Sequence, residues 1–371
     1  MEKRKFEKFA NEIPLLGFGC MRFPVNEDGS INEEESTKML DYAIKNGVTY
    51  IDTAYPYHGG ESENFVGRVL KNYNREDIYL ATKLPTFRVE SKEDVEKYFN
   101  EQLKKLQVEY FDFYLLHALN AERWERAKKY EMIEFCEEMK RQGKIKYLGF
   151  SFHDKYDVYE KIIKAYDWDF CQIQYNYIDT DFQQGDKGYY LAQELGIPVT
   201  IMEPIRGGQL AVLPSDIDEI FKEHDPGKST ASWALRWVAS KSNVLTVLSG
   251  MSTMEQVEEN VDIFNNFKPI DDKDAEIVDK VAKEIKSRRR NLCTRCDYCM
   301  PCPMGVNIPR NFNIWNEGAM FKSDDKNIET FKQMQAQGSF ADKCVECGKC
   351  EHLCPQNISI IEDLKKISEM I

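Results

Sequence analysis

Residues 78–117 read IYLATKLPTFRVESKEDVEKYFNEQLKKLQVEYFDFYLLH. Two apolar runs, 78–83 and 111–117, flank a stretch with a different period. Over 92–107, Val95, Tyr98, Phe99, Leu103 and Leu106 recur at helical spacing among charged residues. The stretch therefore reads as strand, helix, strand. Both strands are hydrophobic along most of their length, as expected of a parallel sheet buried on both faces.

The same alternation extends outward in both directions. Further strand-like runs occupy 16–21, 48–52, 147–152, 170–175, 198–203 and 245–249, making eight in all. Between the first two, residues 34–46 set Met39, Tyr42, Ala43 and Ile44 among charges and stop at Gly47. Eight strand–helix units predict the α/β class and a closed (β/α)₈ TIM barrel, which takes about 250 residues. An open dinucleotide-binding sheet is disfavoured, because no GxGxxG follows the first strand. The residues before strand one are expected to form a hairpin over the barrel floor. Composition shifts near 286–292 (KSRRRNL). The reading is a barrel over 1–285 and a smaller domain over 286–371.

The chain has 371 residues, 42% hydrophobic, and a net charge of -13. Such an acidic balance excludes nucleic acid as a partner, since phosphate binding needs a basic face. No apolar run is long enough to span a bilayer. The charged N-terminus lacks the apolar core of a secretory signal. The expected location is the cytoplasm.

In a barrel, catalytic groups project from the C-terminal ends of the strands. Strand two ends in Asp52, with Tyr57 five residues on. Strand three ends in Lys83, strand four in His117 and strand five in Ser151. Together these residues fit carbonyl reduction. A Tyr hydroxyl, pKa about 10 when unperturbed, can protonate a developing alkoxide if that pKa is lowered. An adjacent ammonium would lower it, and a carboxylate would hold the ammonium in place. A neutral His can orient the carbonyl.

Asp52, Tyr57, Lys83 and His117, with IDTAYPYHGGESENFVG (51–67), ATKLP (81–85) and LLHA (115–118), resemble the aldo-keto reductase family over roughly residues 10–265. The resemblance implies Tyr57 as general acid, Lys83 and Asp52 as its tuners and His117 as the orienting group. It implies an NAD(P)H cofactor whose nicotinamide carboxamide meets Ser151, Gln172 and the neighbourhood of His153. Its adenosine would lie along Ser249–Asn260, with Glu259 and Asn260 at the adenine. Three departures stand out. The family's Ser-Asn pair reads Ser151-Phe152-His153. The aromatic that stacks on nicotinamide is replaced by Met202 or Glu203. Gly250 and Gln256 are uncharged where a 2′-phosphate would need a cation, which favours NADH over NADPH, with Arg206 as another route to that phosphate.

Eight of the 11 cysteines fall after residue 290. They read Cys293-x₂-Cys296-x₂-Cys299-x₂-Cys302-Pro and Cys344-x₂-Cys347-x₂-Cys350-x₃-Cys354-Pro. In a reducing compartment such groups mean metal rather than disulfides. The second is the bacterial ferredoxin run, in which the fourth Cys ligates the other cluster. The expected assignment is crossed: Cys293, Cys296, Cys299 and Cys354 for one [4Fe–4S] cluster, and Cys344, Cys347, Cys350 and Cys302 for the second. Structural zinc is the competing reading, although zinc sites group cysteines as CxxC pairs. Helical patterning at 327–336 and 358–371 makes the tail resemble a mostly α-helical ferredoxin-like domain. The remaining Cys20, Cys136 and Cys171 read as buried thiols.

A hydride carries two electrons and a cluster accepts one, so direct exchange between them is awkward without a flavin. Barrels can bind FMN at strand-end phosphate sites, but the chain carries no flavin fingerprint. Three readings result. The first is a reductase of a small-molecule aldehyde or ketone whose clusters are structural or sensing. The second is an electron-transfer enzyme passing electrons between nicotinamide or flavin and a ferredoxin-type protein. The third is a redox sensor without turnover, against which the intact tetrad counts. Arg288–Arg290 could meet an acidic electron-transfer partner or form a solvated linker. Trp124, Tyr177, Tyr189 and Tyr190 suggest an aromatic-walled pocket, or else helix packing.

Overall fold

The computed structural model describes residues 1–371, and the chain divides into two compact units. One comprises Met1–Ala211 and Ser229–Ala275, the other Val212–Lys228 and Glu276–Ile371.

The strands of the first unit are β1 (Lys3–Arg4), β2 (Ile13–Pro14), β3 (Leu16–Gly19), β4 (Tyr50–Asp52), β5 (Tyr79–Leu84), β6 (Phe111–Leu119), β7 (Ile145–Phe152), β8 (Phe170–Gln174), β9 (Val199–Met202) and β10 (Val244–Ser249). Strands β3 to β10 form a closed barrel in sequence order, every pair parallel, with β10 returning to β3. They coincide with the eight apolar runs. The strands are buried almost throughout because side chains fill the barrel and helices cover its outside. Helix Lys92–Leu106 shows how the cover is specified. Ser91 and Asp94 form a capping box at its start, and Val95, Phe99, Gln102 and Leu106 are its buried face. Strands β1 and β2 pair antiparallel, and the segment they bracket plugs one end of the barrel. There Phe9 packs on Phe113 and Tyr147, joined by Tyr50, Phe170 and Leu245.

Register decides which strand ends meet. Asp52 on β4 lies beside Ala81 on β5, and Lys83 on β5 lies beside Leu115 on β6. The C-terminal ends of β4, β5 and β6 thus share one end of the barrel.

The second unit has its own core, in which Phe312, Trp315, Phe331, Phe340 and Leu364 meet. Its main helices are Ile308–Phe321, Asp324–Ala336 and Ile360–Ser368. The last two fall on the helical stretches read from the sequence. The first was missed, although Asn307 caps it and Pro309 stands in its first turn. The division between units differs from the boundary read at 285/286. It falls inside helix Asp272–Ser287, whose buried Val278, Val281 and Ile285 run past the division. Segment Val212–Lys228 also belongs to the second unit, where Asp216 pairs with Arg288 at 2.6 Å and Lys322 at 3.0 Å. Two of the three arginines in the run are ion-paired: Arg288 is held by Asp216 and Glu284, and Arg290 by Asp324. No helix is long and apolar enough to cross a membrane.

Candidate active site and cysteine-lined cavities

Asp52 closes β4, and the chain then turns sharply. Residues His58, Gly59 and Gly60 all take positive φ, at 50°, 66° and 101°. Glycine reaches that region without cost, so the pair lets Tyr57 fold back over the barrel end. Lys83, fully buried on β5, reaches up to the same point. Its ammonium donates to Asp52 Oδ1 at 2.7 Å, to the Thr53 carbonyl at 2.8 Å and to the Tyr57 hydroxyl at 3.5 Å. All three donors of the ammonium are thereby used. His117 on β6 stands edge-on to the Tyr57 ring, centroids 6.2 Å apart. Its carbonyl accepts from Thr86 Oγ1 at 2.7 Å, which fixes the strand end.

The electrostatics differ from the sequence expectation in one respect. Burial pushes the Tyr57 hydroxyl above its ordinary value, and the Lys83 ammonium opposes that push without overcoming it. Tyr57 is thus protonated at neutral pH, ready to donate. Burial alone would lower the Lys83 ammonium, but Asp52 and Tyr57 more than offset it and hold it charged. Burial, aided by Lys83, drives His117 well below its ordinary value, so the imidazole is neutral.

A buried network behind the tetrad escaped sequence reading. The Glu63 carboxylate accepts from Thr82 Oγ1 at 2.7 Å and from Gln102 Nε2 at 2.6 Å. Gln102 Nε2 also donates to the Lys83 carbonyl at 3.0 Å, and Tyr114 donates to Gln102 Oε1 at 2.8 Å. The network pins the backbone of Lys83 between a strand and two helices. The available signal was a Glu on the buried face of helix Ser62–Leu70.

The positions expected to hold a nicotinamide dinucleotide are partly brought together. Ser151 on β7 accepts from the Ala118 N–H at 2.6 Å, next to His117. Gln172 on β8 is buried and reaches Met202 Sδ at 3.6 Å, while its Oε1 has no partner. A buried amide oxygen left unpaired suits a ligand N–H such as a carboxamide, so the pocket fits the cofactor. Phe152, at the place of the family's Asn, packs on Tyr159 instead. Ser249 Oγ accepts from Asn260 Nδ2 at 2.9 Å, which joins the end of β10 to helix Met254–Asn265. Glu259 is exposed on helix Met254–Asn265. Gln256 Oε1 accepts from the Ser252 N–H at 2.8 Å.

Arg206 is not a free cation. Asp179 holds its Nε at 3.2 Å, and Asp179 also takes Gln174 and Asn176. The cation beside Gly250 is Arg22. Its Cγ and Cδ lie 3.1 Å from where a Cβ at Gly250 would stand, and its guanidinium pairs with Glu203 at 3.5 Å. Arg22 is distant in sequence from both, so only closure of the barrel reveals it. Trp124, Tyr177 and Tyr189 are buried in helix packing, and Tyr190 is exposed on helix Gly185–Glu194. Cys20, Cys136 and Cys171 are buried.

In the second unit two small cavities are lined by cysteines. Cys293, Cys296, Cys299 and Cys354 surround the first. Cys302, Cys344, Cys347 and Cys350 surround the second, with Cys299 at its edge. The sets are crossed between the two cysteine groups. Soft thiolates around cavities of this kind fit iron–sulfur clusters.

A buried Lys–Asp pair thus lies beneath a protonated Tyr, beside a neutral His, at the strand ends of a parallel barrel. Residues 15–283 match the aldo/keto reductase family, and the chain belongs to it. Residues 292–359 match the 4Fe-4S dicluster domain. The chain is 27% identical over 295 residues to the oxidoreductase YqkF of Bacillus subtilis, covering 71% of this chain and 92% of that one. It is 23% identical to the NADH-specific methylglyoxal reductase of Escherichia coli, covering 70% and 91%. Among solved structures it resembles the holo form of aldo-keto reductase AKR11C1 from Bacillus halodurans, with a TM-score of 0.64 and 28% identity, covering 76% of this chain and 97% of that one. The protein is an oxidoreductase of the aldo/keto type joined to an iron–sulfur domain.

Proposed function

We propose that the barrel reduces a small aldehyde or ketone to the alcohol, with Tyr57 as proton donor. The observation that carries this is the triple engagement of the Lys83 ammonium by Asp52, Thr53 and Tyr57. The nicotinamide, when bound, supplies the hydride. His117, neutral, orients the carbonyl oxygen towards the Tyr57 hydroxyl. As negative charge develops on that oxygen, Tyr57 donates its proton and the product is the alcohol. Lys83 stabilises the phenolate left behind, and Asp52 keeps Lys83 in position. Gln172 and Ser151 would hold the carboxamide. Solvent returns the proton to Tyr57.

The pH dependence follows from the protonated form being active. A raised Tyr57 pKa keeps that form present further up the pH scale. The reduction rate is expected to stay level from about pH 6 to 9 and to fall only above roughly 10, the ordinary tyrosine value. A break near neutrality in kcat/KM would assign the proton to another group.

The cofactor we infer is NADH. Gly250 and Gln256 carry no charge, and Arg22 is engaged with Glu203. The expected result is a higher kcat/KM with NADH than with NADPH. Gln256→Arg should shift the ratio towards NADPH by about tenfold, through a charge-assisted bond to the 2′-phosphate. An unchanged ratio would place the adenosine elsewhere.

The cysteine sets support two [4Fe–4S] clusters with crossed ligation, Cys293, Cys296, Cys299 and Cys354 for one and Cys302, Cys344, Cys347 and Cys350 for the other. Domains are read as barrel and ferredoxin-like tail. A second reading makes the tail an electron link to a carrier protein, favoured by the exposure of Cys347. Anaerobic addition of NADH, then NADPH, to the full chain separates the two. Bleaching of the cluster absorbance supports electron exchange with the barrel. Steady absorbance with carbonyl turnover supports structural or sensing clusters.

A further inference from the structure

One charge close to His117 has no opposite. Strand β6 ends at Leu119 and helix Ala121–Lys129 follows at once, with Arg123 in its first turn. The half-buried Arg123 donates from Nη1 to the Ala118 carbonyl at 2.8 Å, and its guanidinium lies 5.3 Å from the centre of the Phe87 ring. Phe87 stands 5.8 Å from the His117 ring, which stands 6.2 Å from that of Tyr57. No carboxylate lies within ion-pair reach of Arg123. The carboxylates around it are engaged elsewhere: Glu122 takes Arg126 at 3.0 Å, Glu125 takes Lys128 at 2.7 Å, and Asp154 accepts from the Ala121 and Lys155 N–H groups. A guanidinium carries five donors in a planar fork, and Ala118 takes one. Ala118 itself sits at a φ of 52°, a left-handed conformation that costs energy in a residue with a side chain. It is held there from both sides: its N–H donates to Ser151 at 2.6 Å and its carbonyl accepts from Arg123. The charge is felt at the site, since burial, Lys83, His153 and Arg123 together hold His117 low.

We propose that Arg123 is a specificity-determining residue that receives a carboxylate on the substrate, so that the barrel reduces aldehydes carrying a carboxylate at the far end of a short carbon chain. The inference rests on the reading of the barrel as a carbonyl reductase. The aldehyde end is held between Tyr57 and His117. The guanidinium is held by Ala118, the next residue along the strand, and by Phe87, so the two ends of such a substrate meet different elements. Phe87, in contact with both His117 and Arg123, offers an apolar ring to the carbons between. A single guanidinium balances the one charge of a carboxylate. It does not balance a phosphate, which carries nearly two, because the next cation on the helix, Arg126, is held by Glu122 and the Phe87 carbonyl. The chain's overall negative charge is screened beyond roughly 8 Å at physiological salt, so the local cation decides which substrate end is accepted.

The test is steady-state kinetics on the full chain, with NADH and with NADPH. Two pairs of aldehydes are compared: succinic semialdehyde with butyraldehyde, which has the same chain length and no charge, and glyceraldehyde 3-phosphate with glyceraldehyde. Expected is a kcat/KM about tenfold higher for succinic semialdehyde than for butyraldehyde, the effect of one charge-assisted hydrogen bond, and a smaller ratio for the phosphate pair. Arg123→Gln should remove the carboxylate preference, chiefly through KM, and Arg123→Lys should keep part of it. An unchanged ratio in Arg123→Gln, even with both rates reduced, makes Arg123 a support for Ala118 and overturns the proposal. Equal turnover of succinic semialdehyde and butyraldehyde by the unaltered chain also overturns it and leaves the reductase reading standing. A larger ratio for the phosphate pair overturns it in favour of a phosphate. No turnover of any aldehyde with either dinucleotide sinks the reductase reading, and this proposal with it.

Discussion

Tyr57→Phe is expected to reduce carbonyl reduction by roughly 10²–10⁴-fold, the usual contribution of a positioned acid. The substitution removes one oxygen and little else. The ring keeps its edge-on contact with His117, and Lys83 keeps Asp52 and the Thr53 carbonyl. Binding of the dinucleotide should therefore change little, since none of its expected contacts involves the hydroxyl. The check pairs single-turnover reduction with cofactor titration by fluorescence quenching. Full retained activity would remove Tyr57 as donor. A loss of cofactor binding as large as the loss of rate would instead make it a binding residue. His117 offers no substitute acid, because burial keeps it neutral.

Removal of iron under anaerobic conditions should unfold the second unit and spare the barrel. The cysteines are part of the second core: Cys293, Cys299, Cys302, Cys344, Cys350 and Cys354 pack against Val306, Phe312, Phe340 and their neighbours. Without a bound group, thiols around two cavities cannot fill them, and a core of so few residues loses its centre. The barrel has a separate core of its own. Hydrogen exchange measures the result. Protection across helix Ile308–Phe321 is expected to vanish on iron removal, while β5 and β6 stay protected. Helix protection that survives iron loss would mean that the apolar packing alone holds this unit.

Much of the site was legible because barrel chemistry is tied to strand ends. Once 48–52, 78–83 and 111–117 are strands, Asp52, Lys83 and His117 must share one rim, and Tyr57 is five residues from it. The cysteine spacing carried the tail in the same way, because a ligand run is local in sequence. The crossed lining of the two cavities was expected from the likeness to the bacterial ferredoxin run, whose fourth Cys ligates the other cluster.

Other features depend on what closure brings together. Arg22 meets Glu203 and Gly250 across more than 180 residues of chain, and neither its charge nor its neighbours mark it in the sequence. Arg206 reads as a free cation until Asp179 is seen holding it. The arginines at 288 and 290 read as a solvated run until Asp216 and Asp324 appear beside them. The direction of the Tyr57 pKa belongs here too. Sequence names the ammonium that lowers it, but burial, which raises it, is a property of the packed barrel. Periodicity and ligand spacing are local, so the sequence alone determined the barrel, the tetrad and the cysteine sets. Ion-pair partners and desolvation are sums over distant residues, so only the tertiary structure decided which charges are free and which proton Tyr57 keeps.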